Sequence, residues 1–183
     1  MFVDPGNRTP APGRLRVVQR FVNSVDRENV REELEKPGDL ERVLAEIGVR
    51  GDGAPLTDAD LRRALDVREA LRELLLANNG GTVGDEALQT LESASRAAQF
   101  ALRLEASSGE LVAQAPGLDG ALGRVLAVVH AAMVDGSWRR LKACPREVCF
   151  WVFYDRSKNL SSKWCAMSVC GNRTKKARAR STA

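Results

Sequence analysis

The four cysteines of this chain fall in one 27-residue window, as Cys144-Pro-Arg-Glu-Val-Cys149 and, fifteen residues on, Cys165-Ala-Met-Ser-Val-Cys170. Two pairs with equal four-residue gaps form two turns, each offering two thiolates to one tetrahedral ion. A closed set of four sulfurs predicts a structural Zn²⁺: no coordination position is left for a water or substrate, and the binding energy of such a site is largely folding energy. Two disulfides in an exported protein are the competing use of four cysteines. The start Met1-Phe-Val-Asp-Pro-Gly-Asn-Arg8 shows no apolar h-region after a basic stretch, so a cytoplasmic protein is expected.

The residues around the cysteines must hold them in place. Phe150 to Tyr154 is strongly β-prone and predicts a strand, with a second returning through Leu160 to Trp164 after the turn Asp155-Arg-Ser-Lys-Asn159. Alternation puts Trp151 and Phe153 on one face and Phe150, Val152 and Tyr154 on the other, a small core for a module that a metal site alone could not stabilise. Beyond Cys170, Arg173, Lys176 and Arg180 lie on one side of a helix at i, i+3 and i+7, flanked by Lys175 and Arg178. A basic helix held rigidly by zinc is suited to enter a major groove or lie along phosphates. Asn172 is expected to cap the knuckle backbone.

Charge divides the chain in the same place. Residues 138–183 carry twelve Lys and Arg against Glu147 and Asp155, a net +10, whereas residues 1–137 net −6. A positive field concentrated on a short module is the footprint of a polyanion binder, and DNA is the partner it predicts.

Trp151-Val-Phe153, Asp155-Arg156-Ser-Lys-Asn159, Lys163-Trp164-Cys165, Met167 and Cys170-Gly171-Asn172-Arg173 resemble the CGNR zinc-finger module. In that family the finger follows a sensor-like ABATE domain, and the whole is regarded as a stress-responsive transcription regulator. Phe21-Val-Asn23-Ser and Val67-Arg68-Glu-Ala-Leu-Arg72 are similar to short patterns of that domain, so the resemblance runs from about Leu15 to Arg180.

The expected fold is mainly α (α+β): a flexible arm at 1–13, a helical ligand-sensing domain with one β-hairpin at 14–136, and a small zinc-finger module at 137–183. Leu15, Val18, Phe21, Val22 and Val25 have amphipathic-helix spacing; Pro37-Gly38 marks a break, and Asp39 is expected to cap a helix from Leu40 to Ile47. Thr57-Asp-Ala-Asp60 predicts a capping box opening a helix that stops at Asn78-Asn-Gly-Gly81. Asp85 to Gln99 reads as helix, Phe100 to Glu105 and Leu111 to Gln114 as a hairpin, and Asp119 to Val134 as a long apolar helix, followed by a hinge at Asp135-Gly136-Ser137. Arg68 sits within the leucine stripe of the Thr57 helix and needs an acceptor. The alternatives are an internal ion pair with Asp26, Glu28 or a helix carboxylate, a stem that snorkels to water, or a place for Arg68, with Asn23 and Arg72, at the floor of a pocket for a small-molecule effector.

No apolar run reaches the length of a membrane span, and no phosphate loop, Rossmann glycine pattern or HExxH motif appears. His130, the single histidine, has no serine or carboxylate constellation beside it, and no enzymatic role is expected. A homodimer is compatible with a palindromic operator, though no heptad marks a dimer face. A rival reading makes the zinc knuckle a protein- or RNA-interaction module presenting Trp151, Phe153 or Trp164.

Overall fold

Leu15, Val18, Phe21 and Val22 are all buried, and they define α1 (Leu15–Val22) of the computed structural model, which describes residues 9–181 and side chains as far as Lys176. The arm expected at 1–13 lies outside the described residues over 1–8. Its last part is pinned: Ala11 is buried, and its N–H donates to Gln19 Oε1 at 2.7 Å. The helix ends at Val22, short of the expected Val25, which instead begins a small hairpin of β1 (Val25–Asp26) and β2 (Arg31–Glu32), with Val30 left-handed and exposed at its turn.

Pro37-Gly38, expected as a break, instead opens α2 (Pro37–Glu46). Proline fits the first helical position because its missing N–H would be unpaired there anyway. Asp39 accordingly lies inside the helix and accepts the Lys36 N–H at 3.3 Å. The capping box predicted for α3 (Asp58–Ala77) is present, with Asp60 N–H donating to Thr57 Oγ1 at 3.2 Å and Thr57 N–H to the Asp60 carboxylate at 2.9 Å. Next come α4 (Asp85–Ala97) and the hairpin of β3 (Phe100–Leu104) and β4 (Gly109–Ala113), registered Phe100 on Ala113, Leu102 on Leu111 and Leu104 on Gly109.

The central element is α5 (Gly117–Val134), which starts two residues before the expected Asp119. Its length and mean composition are those of a helix that could cross a membrane, although Asp119, Arg124 and His130 interrupt its apolar run. Its apolarity is accounted for by its neighbours: α1, α3, α4 and β4 pack around it and bury Leu118, Leu122, Val125, Val128 and Val129. Gly123 permits the closest of these approaches, since a Cβ there would lie 2.5 Å from Ala98 Cβ and 2.6 Å from Ala113 Cβ. Glycine to alanine in a helix normally gains about 1 kcal/mol. Here the overlap, of the order of 1–3 kcal/mol for an overpacked core, wins. Gly123→Ala is therefore expected to lower the urea midpoint.

The chain then turns at Gly136, with φ 79°, into a 3-10 turn, Ser137–Arg140, whose Trp138 is buried. β5 (Leu141–Ala143) pairs antiparallel with β6 (Val152–Tyr154), and a π-turn, Met167–Gly171, leads into α6 (Asn172–Ser181). The partner of β6 is thus the strand before the first cysteine, not the expected Leu160–Trp164 return. Trp138, Leu141, Ala143 and Val152 join the same apolar core as Leu71, Leu75 and Val129. The expected hinge is a tight turn between parts that share one core.

Candidate metal centre and its basic helix

The four cysteine sulfurs lie within 4.8 Å of one another; Cys149 and Cys165 are 3.6 Å apart, and Cys165 and Cys170 are 3.5 Å apart. All four side chains are buried and none is disulfide-bonded. Tetrahedral coordination with metal–sulfur bonds of about 2.3 Å places sulfurs about 3.8 Å apart, so this set is preorganised for one ion.

The sulfurs also show why they need a cation. Hydrogen bonds from Cys149 and Cys165 pull Cys144 down to about 2, the same bond to Cys144 pushes Cys149 up to about 12, and Cys144 and Cys149 together push Cys165 up. Neighbouring sulfurs cannot all ionise against one another's charge. A divalent ion at their centre removes that conflict, and the donor set suits a soft or borderline metal.

Backbone geometry fixes each knuckle. Cys149 N–H donates to Arg146 O at 2.8 Å and Phe150 N–H to the same carbonyl at 3.3 Å, while Cys144 N–H donates to Trp151 O at 2.9 Å. Closing that turn forces Phe150 to φ 50°, so the strand begins at Val152 instead of the expected Phe150. The second knuckle gathers the N–H groups of Val169, Cys170 and Gly171 on Ala166 O, at 3.3, 2.9 and 3.3 Å. The predicted alternation holds from Trp151 to Tyr154: Trp151 and Phe153 pack against the cysteines, and Val152 and Tyr154 against the main core, whereas Phe150, expected beside Val152 and Tyr154, joins neither cluster. Burial of Trp151 and Phe153 removes them as surface contacts for a protein or RNA partner.

A second anchor lies beneath the loop after β6. Lys142 Nζ donates to Asp155 Oδ2 at 2.7 Å and to Leu160 O at 2.6 Å; Asp155 also accepts the N–H groups of Ser157 and Ser162, at 2.9 and 3.0 Å. Burial pushes this carboxyl up, but these donors hold it well below the usual carboxylate range. In the sequence Asp155 stands out as the start of a turn and of a family-like motif, with nothing to mark it as the partner of Lys142.

The π-turn that carries Cys170 runs directly into α6, so the metal ligands set where that helix starts. Asn172 Nδ2 donates to Ser168 O at 3.3 Å, the capping role expected of it. Lys175 and Lys176 are exposed; the side chains of Arg178 and Arg180 lie outside the described residues. Arg173 Nη1 is bonded to Glu28 Oε1, which also accepts from Arg146 Nη1 at 2.9 Å.

The residues expected to line a ligand pocket are all engaged with protein groups. Asn23 exchanges two hydrogen bonds of 2.8 Å with the backbone of Val152. Arg68 grips Glu32 with two bonds of 2.7 and 2.8 Å and reaches Ser24 and Glu69. Arg72 donates to Val22 O at 2.6 Å, Phe150 O at 2.9 Å and Glu69 at 2.9 Å. Burial pushes Glu69 up, yet Arg72, then Arg68 and Arg27, bring it down to about 2. Two further clamps are hidden in the sequence because Asn78-Asn79 reads as a helix stop: Asn78 donates to Trp138 O and Leu141 O, and Asn79 to Ala143 O and Lys163 O, at 2.8–2.9 Å. Clefts lie elsewhere, such as one of about 490 Å³ between α3 and α4, lined by Asp66, Glu69, Glu73, Asp85 and Glu86.

A helical domain welded to a buried four-cysteine centre, from which a basic helix departs, defines a zinc-finger protein with a fused helical N-terminal domain. The chain belongs to the ABATE family, described as "Putative stress-induced transcription regulator", which it matches over residues 15–136; residues 140–182 match the CGNR zinc finger. A search of curated proteins finds no match.

Proposed function

We propose that this regulator binds DNA through its zinc module and answers to a small-molecule effector through its helical domain. The observation that carries the DNA reading is α6: it leaves the metal knuckle directly, carries exposed Lys175 and Lys176, and belongs to a segment of net +10. Zn²⁺ is the ion this reading places among the sulfurs. It holds the start of α6 and performs no chemistry; no catalytic role is assigned to the chain, and its place of action is the cytoplasm. Arg178 and Arg180 add two further positive charges to the segment, and Arg173 joins the basic surface when phosphate replaces Glu28. Asn23 and Arg72, which join α1 and α3 to β6 and the first knuckle, would pass any effector-driven shift of the helices to the finger.

Duplex affinity measured against salt tests the reading. Binding is expected to weaken steeply as salt rises, and Lys175→Gln with Lys176→Gln to reduce the logarithmic slope by about 2, roughly one for each phosphate no longer neutralised. A slope unchanged in that double variant, or binding indifferent to salt, overturns the DNA reading and leaves the metal centre in place.

A further inference from the structure

The outer edge of β3 is open. Glu105 N–H donates to Ser108 O at 2.9 Å, so strict antiparallel alternation makes Arg103–Glu110 and Ala101–Val112 the bonded pairs of the hairpin. The N–H and C=O groups of Phe100, Leu102 and Leu104 therefore point away from β4, and among the described residues no backbone or side-chain group meets them.

The side chains of this edge are as exposed as its backbone. Leu102 is 62% exposed and Leu104 72%, and both lean over the bare backbone of Gly109, where a Cβ would meet them at 3.5 and 3.2 Å. Edge strands are commonly protected by lysine, proline or a bulge. β3 has none of these, and its single charge, Arg103, is committed to Glu110 at 3.1 Å.

We propose that β3 pairs with β3 of a second copy of this chain, extending the hairpin into a four-stranded antiparallel sheet across a two-fold axis at Leu102. The strand is complementary to itself in this register. Leu102 meets Leu102 and Phe100 meets Leu104 as bonded pairs on the apolar face, while on the other face Arg103 stands opposite Ala101, whose small side chain leaves Arg103 free to keep Glu110. A one-residue slip would turn the apolar face of one strand away from that of the other. A partner strand of different sequence would need to reproduce that apolar alternation; a second copy has it already.

Sedimentation equilibrium of the full-length, metal-loaded protein from micromolar to millimolar concentration, combined with amide hydrogen exchange, tests the pairing. A dimer is expected in which the Leu102 and Leu104 amides are protected and lose protection on dilution, while those of Ala101 and Arg103, bonded to β4, do not change. Leu102→Pro removes an outward N–H and no bond to β4, and should raise the dimer dissociation constant about tenfold or more. A monomer throughout the range overturns the proposal. So does a dimer whose Leu102 and Leu104 amides exchange as freely as in the monomer, a readout that stands even if the proline variant misfolds.

Discussion

Cys170→Ser is expected to abolish stoichiometric metal binding and to unfold the finger. Structural zinc contributes about 10–16 kcal/mol of apparent binding energy in small finger peptides, far more than any single contact in this chain, and that energy becomes folding energy when the site forms only in the folded state. Cys170 is fully buried in the π-turn that leads into α6, so its loss frees the approach to the basic helix as well as one corner of the site. The damage should not stop at the finger. Leu141, Ala143 and Val152 belong to the main core, and Asn78 and Asn79 hold the carbonyls of the same segment. Elemental analysis is therefore expected to show that the metal is gone, and urea unfolding followed by far-ultraviolet circular dichroism to show a lower midpoint for the helices too. Retention of stoichiometric metal by the variant would refute the four-sulfur site. Loss of metal with an unshifted helical transition would instead refute the shared core.

What is legible in the sequence is what short-range rules govern. Cysteine spacing announces the metal site because a tetrahedral ion dictates its ligands locally. Thr57 and Asp60 announce α3 because the capping box spans only four residues. The failures are nonlocal. β6 has the composition of a strand, but nothing in its own residues says that its partner lies before Cys144 instead of after Asp155. Glu28 sits in a charged stretch with no apolar periodicity, and only the fold shows that it reaches Arg146 and Arg173, more than a hundred residues on. Asn23, Arg68 and Arg72 stand out in the sequence as unusual polar groups near an apolar stripe. That observation calls for a partner without saying whether the partner is a ligand or the chain itself.

Arg72 decides between those two answers. Arg72 is 3% exposed, and its guanidinium joins three parts of the molecule: the end of α1 at Val22 O, the first knuckle at Phe150 O, and Glu69 on its own helix. Arg72→Met keeps much of the side-chain volume but leaves two carbonyls and a carboxylate short of donors. Breaking such a buried set by removing one member costs about 3–5 kcal/mol. Arg72→Lys should recover little, because one ammonium cannot reproduce the planar fork that reaches separate acceptors. The knuckle sharpens the expectation. Phe150 is held left-handed at φ 50°, a conformation costing about 1–2 kcal/mol for a residue with a side chain. Its carbonyl bond to Arg72 is part of what holds it there, so metal affinity measured by chelator competition should fall together with the urea midpoint. Arg68→Met should spare the metal, since the partners of Arg68 are Ser24, Glu32 and Glu69, none of them in the finger. If Arg72→Met instead unfolds at the wild-type midpoint and holds its metal as tightly, Arg72 is not the tie between helices and finger, and a ligand-binding role for it regains ground.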